Sequence, residues 1–93
     1  MAISGESRFR TVAILKTSPE NAAELRGHLL ALVEPSRADP GCVTYILHEV
    51  IDSPGTFVFY EGWEDIAAID AHIATEKLQR LREVCKRLLI EPE

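Results

Sequence analysis

Thr56-Phe57-Val58-Phe59-Tyr60-Glu61-Gly62-Trp63-Glu64-Asp65-Ile66-Ala67-Ala68-Ile69-Asp70-Ala71-His72 is the stretch whose reading decides the fold. It predicts a strand that ends in a tryptophan and passes at once into a short helix carrying a histidine. Phe57, Val58, Phe59 and Tyr60 form a dense β-branched and aromatic block, the composition of a pleated, buried strand. A period of two places Phe57, Phe59, Glu61 and Trp63 on one face and Val58, Tyr60 and Gly62 on the other. Asp65 is suited to cap the helix, because its carboxylate can accept from the free N–H groups of the first turn. At about 100° per residue, Ile66, Ile69 and Ile73 share one stripe, with His72 on its shoulder. Trp63 and His72 can therefore meet at the strand–helix junction.

Upstream, Asp52-Ser53-Pro54-Gly55 is a turn, and Cys42 to Val50 reads as a strand. So short a connection predicts an antiparallel hairpin. Asp39-Pro40-Gly41 is a firm turn before it. Ser18-Pro19-Glu20-Asn21 starts a helix, with Ser as cap and Pro at the first helical position. Ala22, Leu25, Leu29, Leu32 and Val33 follow at helical spacing. Pro35 lacks a donor N–H and is expected to kink or end that helix, although Ser36 to Ala38 can add a turn. Phe9 to Lys16 is the first strand, apolar at its centre on both faces. Downstream, Leu78, Leu81, Cys85, Leu88 and Leu89 make a C-terminal helical pattern.

The order is β-α-β-β-α followed by a C-terminal element. That is an α+β, ferredoxin-like plan: an antiparallel sheet with helices on one face. The plan calls for a fourth strand. Residues 87–91 can supply a short one, although the helical spacing from Leu78 to Leu89 fits better. Residues 1–8 read as a flexible lead-in and residues 9–93 as a single domain. Helices cover only one face of such a sheet. Apolar residues on the other, expected around Val12, Ile14, Tyr45, Leu47 and Phe59, need a partner. A second copy of the chain supplies it most simply, giving a homodimeric α+β barrel.

At 93 residues the chain is one domain. A domain this small buries only about two-thirds of its unfolded surface, so self-association is a natural source of stability. With 15 acidic and 10 basic side chains the net charge is −5, which disfavours nucleic acid and anionic membranes as partners. No stretch approaches the ~18 apolar residues of a membrane span. The first eight residues have no apolar core of a signal peptide. Cys42 and Cys85 lie in apolar patterns and read as buried free thiols. The expected location is the cytoplasm.

Val33-Glu34-Pro35-Ser36-Arg37, Pro40-Gly41-Cys42, Phe57 to Glu64 and Asp70-Ala71-His72-Ile73-Ala74-Thr75 resemble, in order and spacing, segments of the antibiotic biosynthesis monooxygenase domain family. The resemblance covers roughly residues 9–80. It implies a dimeric α+β barrel and oxygenation of a phenol or quinol by O₂ without metal or flavin. Trp63 corresponds to the family's tryptophan and His72 to the histidine of the following helix. The haem-degrading branch adds an asparagine on the first strand, and Phe9 to Lys16 contains none. The polyketide-oxidising branch has an asparagine where Phe59 stands. Haem degradation is therefore the less expected activity.

Oxygenation without a cofactor requires the substrate to supply the electrons. A phenolate gives an electron to O₂ far more readily than a phenol. The protein must offer a dry aromatic slot, a base working near neutrality and donors for developing negative charge. His72 is the candidate base and Trp63 the second catalytic candidate. Phe57, Phe59, Tyr45 and Tyr60 are candidate pocket residues, the tyrosines as donors. The plainer readings are a core plug for Trp63 and a helix residue bonded to backbone or water for His72. Glu61, an acid within an apolar strand, is expected to meet Arg37 in a structural ion pair. His28 and His48 stand at no ligand spacing with His72, so no metal site is expected. The charged run from Glu76 to Arg87 reads as a solvated helix face. A non-catalytic dimer that binds a small apolar ligand, or serves in stress response, is the alternative function.

Overall fold

The computed structural model describes residues 9–90, so the lead-in expected over residues 1–8 lies outside the described residues. The elements are β1 (Phe9–Lys16), α1 (Ala22–Arg37), β2 (Cys42–Glu49), β3 (Thr56–Trp63), α2 (Ile66–Ile73) and α3 (Glu76–Leu88). The aromatic block of β3 earns it the centre of the sheet, whose order is β1-β3-β2, antiparallel throughout. This is a ferredoxin-like α+β fold.

Cross-strand pairs fix the two faces. Phe9, Trp63 and Cys42 lie abreast, then Thr11, Glu61 and Tyr45, then Ala13, Phe59 and Leu47, then Leu15, Phe57 and Glu49. Leu15, Tyr45, Phe57, Phe59 and Trp63 are buried with Leu25 and Leu29 of α1 and Leu88 of α3. The opposite face carries Val12, Tyr60 and Ile46 abreast, then Ile14, Val58 and His48. No described helix covers it: Val12 is 55% and Ile14 66% exposed. The expected apolar second face therefore exists but differs in membership. Tyr45, Leu47 and Phe59 belong to the helix side, because their strands' registers align them with Trp63 rather than with Val12.

Two local expectations are also corrected. Pro19–Asn21 forms a 3₁₀ turn before α1, and Ser18 makes no side-chain cap. As the sequence allowed, α1 continues past Pro35 only to Arg37; the Ala38 N–H donates back to the Glu34 and Pro35 carbonyls at 3.2 Å. The stripe of α2 is turned outward: Ile66 and Ile73 are exposed, and His72 is the helix's buried residue. The Asp65 cap forms as expected, its Oδ1 accepting from the Ala68 N–H at 2.8 Å.

The C-terminus takes up both of its alternatives. α3 continues to Leu88, then Leu89 turns extended and bridges Thr17, while the Ile90 N–H donates to the Lys16 carbonyl at 2.8 Å. Among the described residues the fourth strand is this single bridge on the β1 edge.

Candidate functional site

Two devices bring the end of β3 against α2. The first is the Asp65 cap, which sets the helix going two residues after the strand ends. The second is Gly41, whose φ of 82° suits glycine and whose lack of a side chain lets α2 approach. A Cβ there would lie 2.5 Å from the Ala68 methyl. The approach lays the His72 ring on Trp63, with centroids 4.6 Å apart and planes tilted by 40°. Tyr45 meets the His72 ring edge-on at 5.4 Å and lies tilted against the Phe59 ring at 4.9 Å. Trp63 is 0% and His72 3% exposed, so both rings are closed off from solvent.

Each ring of the stacked pair is held by a carboxylate. The Trp63 Nε1–H donates to Glu61 Oε1 at 3.0 Å. His72 Nδ1 lies 2.8 Å from Asp39 Oδ2. Asp39 also accepts from Lys77 Nζ at 2.9 Å. Burial works to raise the Asp39 carboxyl, but its bonds to His72 and Lys77 outweigh that and hold it below the ordinary range. An ionised carboxylate only accepts, so in the neutral tautomer that fits this geometry Nδ1 carries the proton and Nε2 the lone pair.

Tyr45 sits deeper. Burial pushes its phenol up to about 12, with the Ser36 hydroxyl pulling modestly the other way. Ser36 is fully buried on α1, near enough to the Tyr45 hydroxyl to oppose that rise, but among the described residues its Oγ makes no well-aligned hydrogen bond. Outside this cluster, a shallow depression of about 300 Å³ lies between Pro40–Gly41 and α2, floored by Ala67, Ala68 and Ala71 and edged by Glu64 and Asp65.

The structure thus brings together His72, Trp63, Tyr45 and Phe59. Phe57 is buried further along the same face, where Arg26 of α1 passes 5.9 Å from its ring. Tyr60 does not join them: it stands on the opposite face, half exposed, paired with Val12. The expected Arg37–Glu61 pair is not made within the protomer. Arg37 Nε donates to the Tyr45 carbonyl at 3.0 Å and Nη1 to Glu34 at 3.0 Å. The reason is local: Glu61 and Trp63 are two apart on one face, which puts the indole N–H within the carboxylate's reach. Asp39, Lys77 and Ser36 were not foreseen. Asp39 looks like a turn residue before Pro-Gly, and Lys77 looks like part of a solvated run. Among the described residues, no group of three or more His, Cys, Asp or Glu side chains is placed to hold a metal ion. No described helix is long and apolar enough to cross a membrane.

The antibiotic biosynthesis monooxygenase profile matches residues 8–84. The chain is 32% identical over 78 residues to the uncharacterized protein sll1783 of Synechocystis, covering 84% of this chain but only 53% of that longer protein. It is 36% identical over 80 residues to "Putative monooxygenase YcnE" of Bacillus subtilis, covering 86% of this chain and 84% of that one. The crystal structure of PA3566 from Pseudomonas aeruginosa superposes with a TM-score of 0.86 at 32% identity, covering 96% and 90% of the two chains. With the family's profile spanning both β3 and the His72 helix, the chain belongs to the antibiotic biosynthesis monooxygenase family.

Proposed function

We propose that this protein is a monooxygenase of a small phenolic or quinol-type aromatic, using O₂ without metal or flavin. The observation that carries this reading is the His72 imidazole, held through Nδ1 by Asp39 and laid on Trp63 at 4.6 Å. Nε2 takes the proton from a substrate hydroxyl. The resulting phenolate gives electrons to O₂, and oxygen adds to the ring carbon. For a quinol, one oxygen atom stays on the ring as a hydroxyquinone and the other leaves as water. All the electrons that O₂ takes up come from the ring. Tyr45 and Ser36 supply hydroxyl donors to the developing oxyanion, and Trp63 and Phe59 wall the ring.

Entry requires α2 to move. His72 is its one buried residue and its two outer isoleucines face solvent, so α2 is a lightly anchored cover. The exposed sheet face of Val12, Ile14, Ile46 and Tyr60 is covered by a second copy, giving a homodimer. The free thiols Cys42 and Cys85 suit the cytoplasm.

Oxygen uptake with a panel of hydroquinones and anthrones, with and without protein, tests the reading. A protein-dependent rate with one O₂ consumed per ring is expected. No acceleration with any compound overturns it. The second reading, a dimer that binds a small apolar ligand without turnover, is favoured by the lack of an asparagine at Phe59 or on β1. Binding of an anthrone with no oxygen uptake would favour it.

A further inference from the structure

We propose that Asp39 is the positioning residue that decides which nitrogen of His72 acts as base. This rests on the reading of His72 as the base. Asp39 belongs to the turn between α1 and β2, and its side chain is 15% exposed. It joins three elements: its own turn, the last turn of α2 through His72, and the first turn of α3 through Lys77. Lys77 Nζ lies 2.9 Å from each carboxylate oxygen, so the positive charge sits in the fork. The pairing keeps the carboxylate ionised and therefore an acceptor only. Nδ1 must then hold the proton. The Thr75 hydroxyl fixes the same turn by donating to the His72 carbonyl at 2.7 Å.

Asp39→Asn reverses this logic. The Lys77 ammonium can only donate, so it takes the amide oxygen. The amide NH₂ is left facing Nδ1, which must now accept. The ring proton moves to Nε2, and the base is lost with the ring still in place.

The test is the ring ¹⁵N spectrum of His72 in mildly alkaline buffer, on wild type, Asp39→Asn and Lys77→Met. It needs no substrate. Wild type and Lys77→Met are expected in the Nδ1–H form, and Asp39→Asn shifted to Nε2–H. Quinol oxidation by Asp39→Asn should fall about 10²-fold or more, as for loss of a positioned base. A wild-type ring protonated at Nε2 overturns the proposal without any variant. So does an Asp39→Asn ring that keeps Nδ1–H, whatever its rate. A ring that switches while oxidation continues at the wild-type rate upholds Asp39 as the tautomer-setting residue and removes His72 from the chemistry.

Discussion

The Trp63 indole N–H donates to Glu61 across one intervening residue, at 3.0 Å, from the same face of β3. A strand places residues two apart side by side, so the acid and the indole are neighbours by construction. The bond gives the buried indole its partner and the acid a reason to sit among aromatics. Removing the acceptor while keeping the volume isolates that role. Glu61→Leu leaves the indole N–H unsatisfied and should cost about 1–3 kcal/mol. Glu61→Gln keeps an acceptor oxygen and should cost less. Urea unfolding followed by the fluorescence of Trp63, the single tryptophan, reads both. Equal losses in the two variants would show that charge, not the indole bond, matters.

The depressed Asp39 carboxyl makes a prediction on the acid side. In the fold it binds its proton less readily than in the unfolded chain, whose Asp titrates near 3.9. The stability it contributes is therefore complete above that value and is lost as pH falls through the folded value. Urea midpoints of wild type should drop more steeply than those of Asp39→Asn as pH falls from about 5 to 2.5. Parallel curves would mean that Asp39 is not held down in the folded state.

Tyr45 works in the other direction. Its phenol is raised to about 12 by burial, from an ordinary value near 10. A raised folded value means that the stability is present below about pH 10 and is lost as pH climbs toward 12. In an alkaline absorbance titration, Tyr45 should ionise only near 12, together with unfolding. Removing the other tyrosine by Tyr60→Phe makes the assignment direct. A full, reversible ionisation of the remaining tyrosine near pH 10 in the folded protein would contradict it.

The sequence of β3 carried most of the fold. Its aromatic run named the strand, its turn named the hairpin, and Asp65 marked the helix start to the residue. Trp63 and His72 could be placed together because they flank one junction, so local spacing was enough. Three things were not legible. The outward turn of Ile66 and Ile73 follows from the Asp39–His72 bond and the close packing at Gly41, neither of which a hydrophobic period encodes. Asp39, Lys77 and His72 are brought together only by the tertiary fold, since Asp39 lies 33 residues before His72. The faces of β1 and β2 needed their registers, because both strands are apolar enough to be read either way up.

The uncovered face of the sheet predicts its own disruption. Ile14 is 66% exposed in the protomer and lies beside Val58. Ile14→Glu puts a charge where a second copy would bury it, a cost of several kcal/mol to association. The same change on an exposed position should alter protomer stability by only about 0.5 kcal/mol. Sedimentation at micromolar concentration should give about twice the 10.4 kDa chain mass for wild type and the single mass for Ile14→Glu. A wild-type protein sedimenting as a monomer would leave the sheet face without its proposed cover.

His72 and Trp63 share one stack, but their replacements should fail differently. His72→Ala removes the base while Asp39 keeps Lys77 as a partner, so the turn remains neutralised. If proton removal limits the rate, kcat should fall about 10²–10⁴-fold. Trp63 is completely buried, and Trp63→Ala would cost about 3–5 kcal/mol, enough to threaten a domain of this size. Trp63→Phe is the usable variant. It keeps an aromatic wall and frees Glu61, so it should raise KM more than it lowers kcat. Circular dichroism and sedimentation must first show each variant folded and in the wild-type assembly. His72→Ala oxidising the best quinol at the wild-type rate would leave the imidazole as a structural strut between Asp39 and Trp63. The aromatic cluster under α2 would then belong to ligand binding alone.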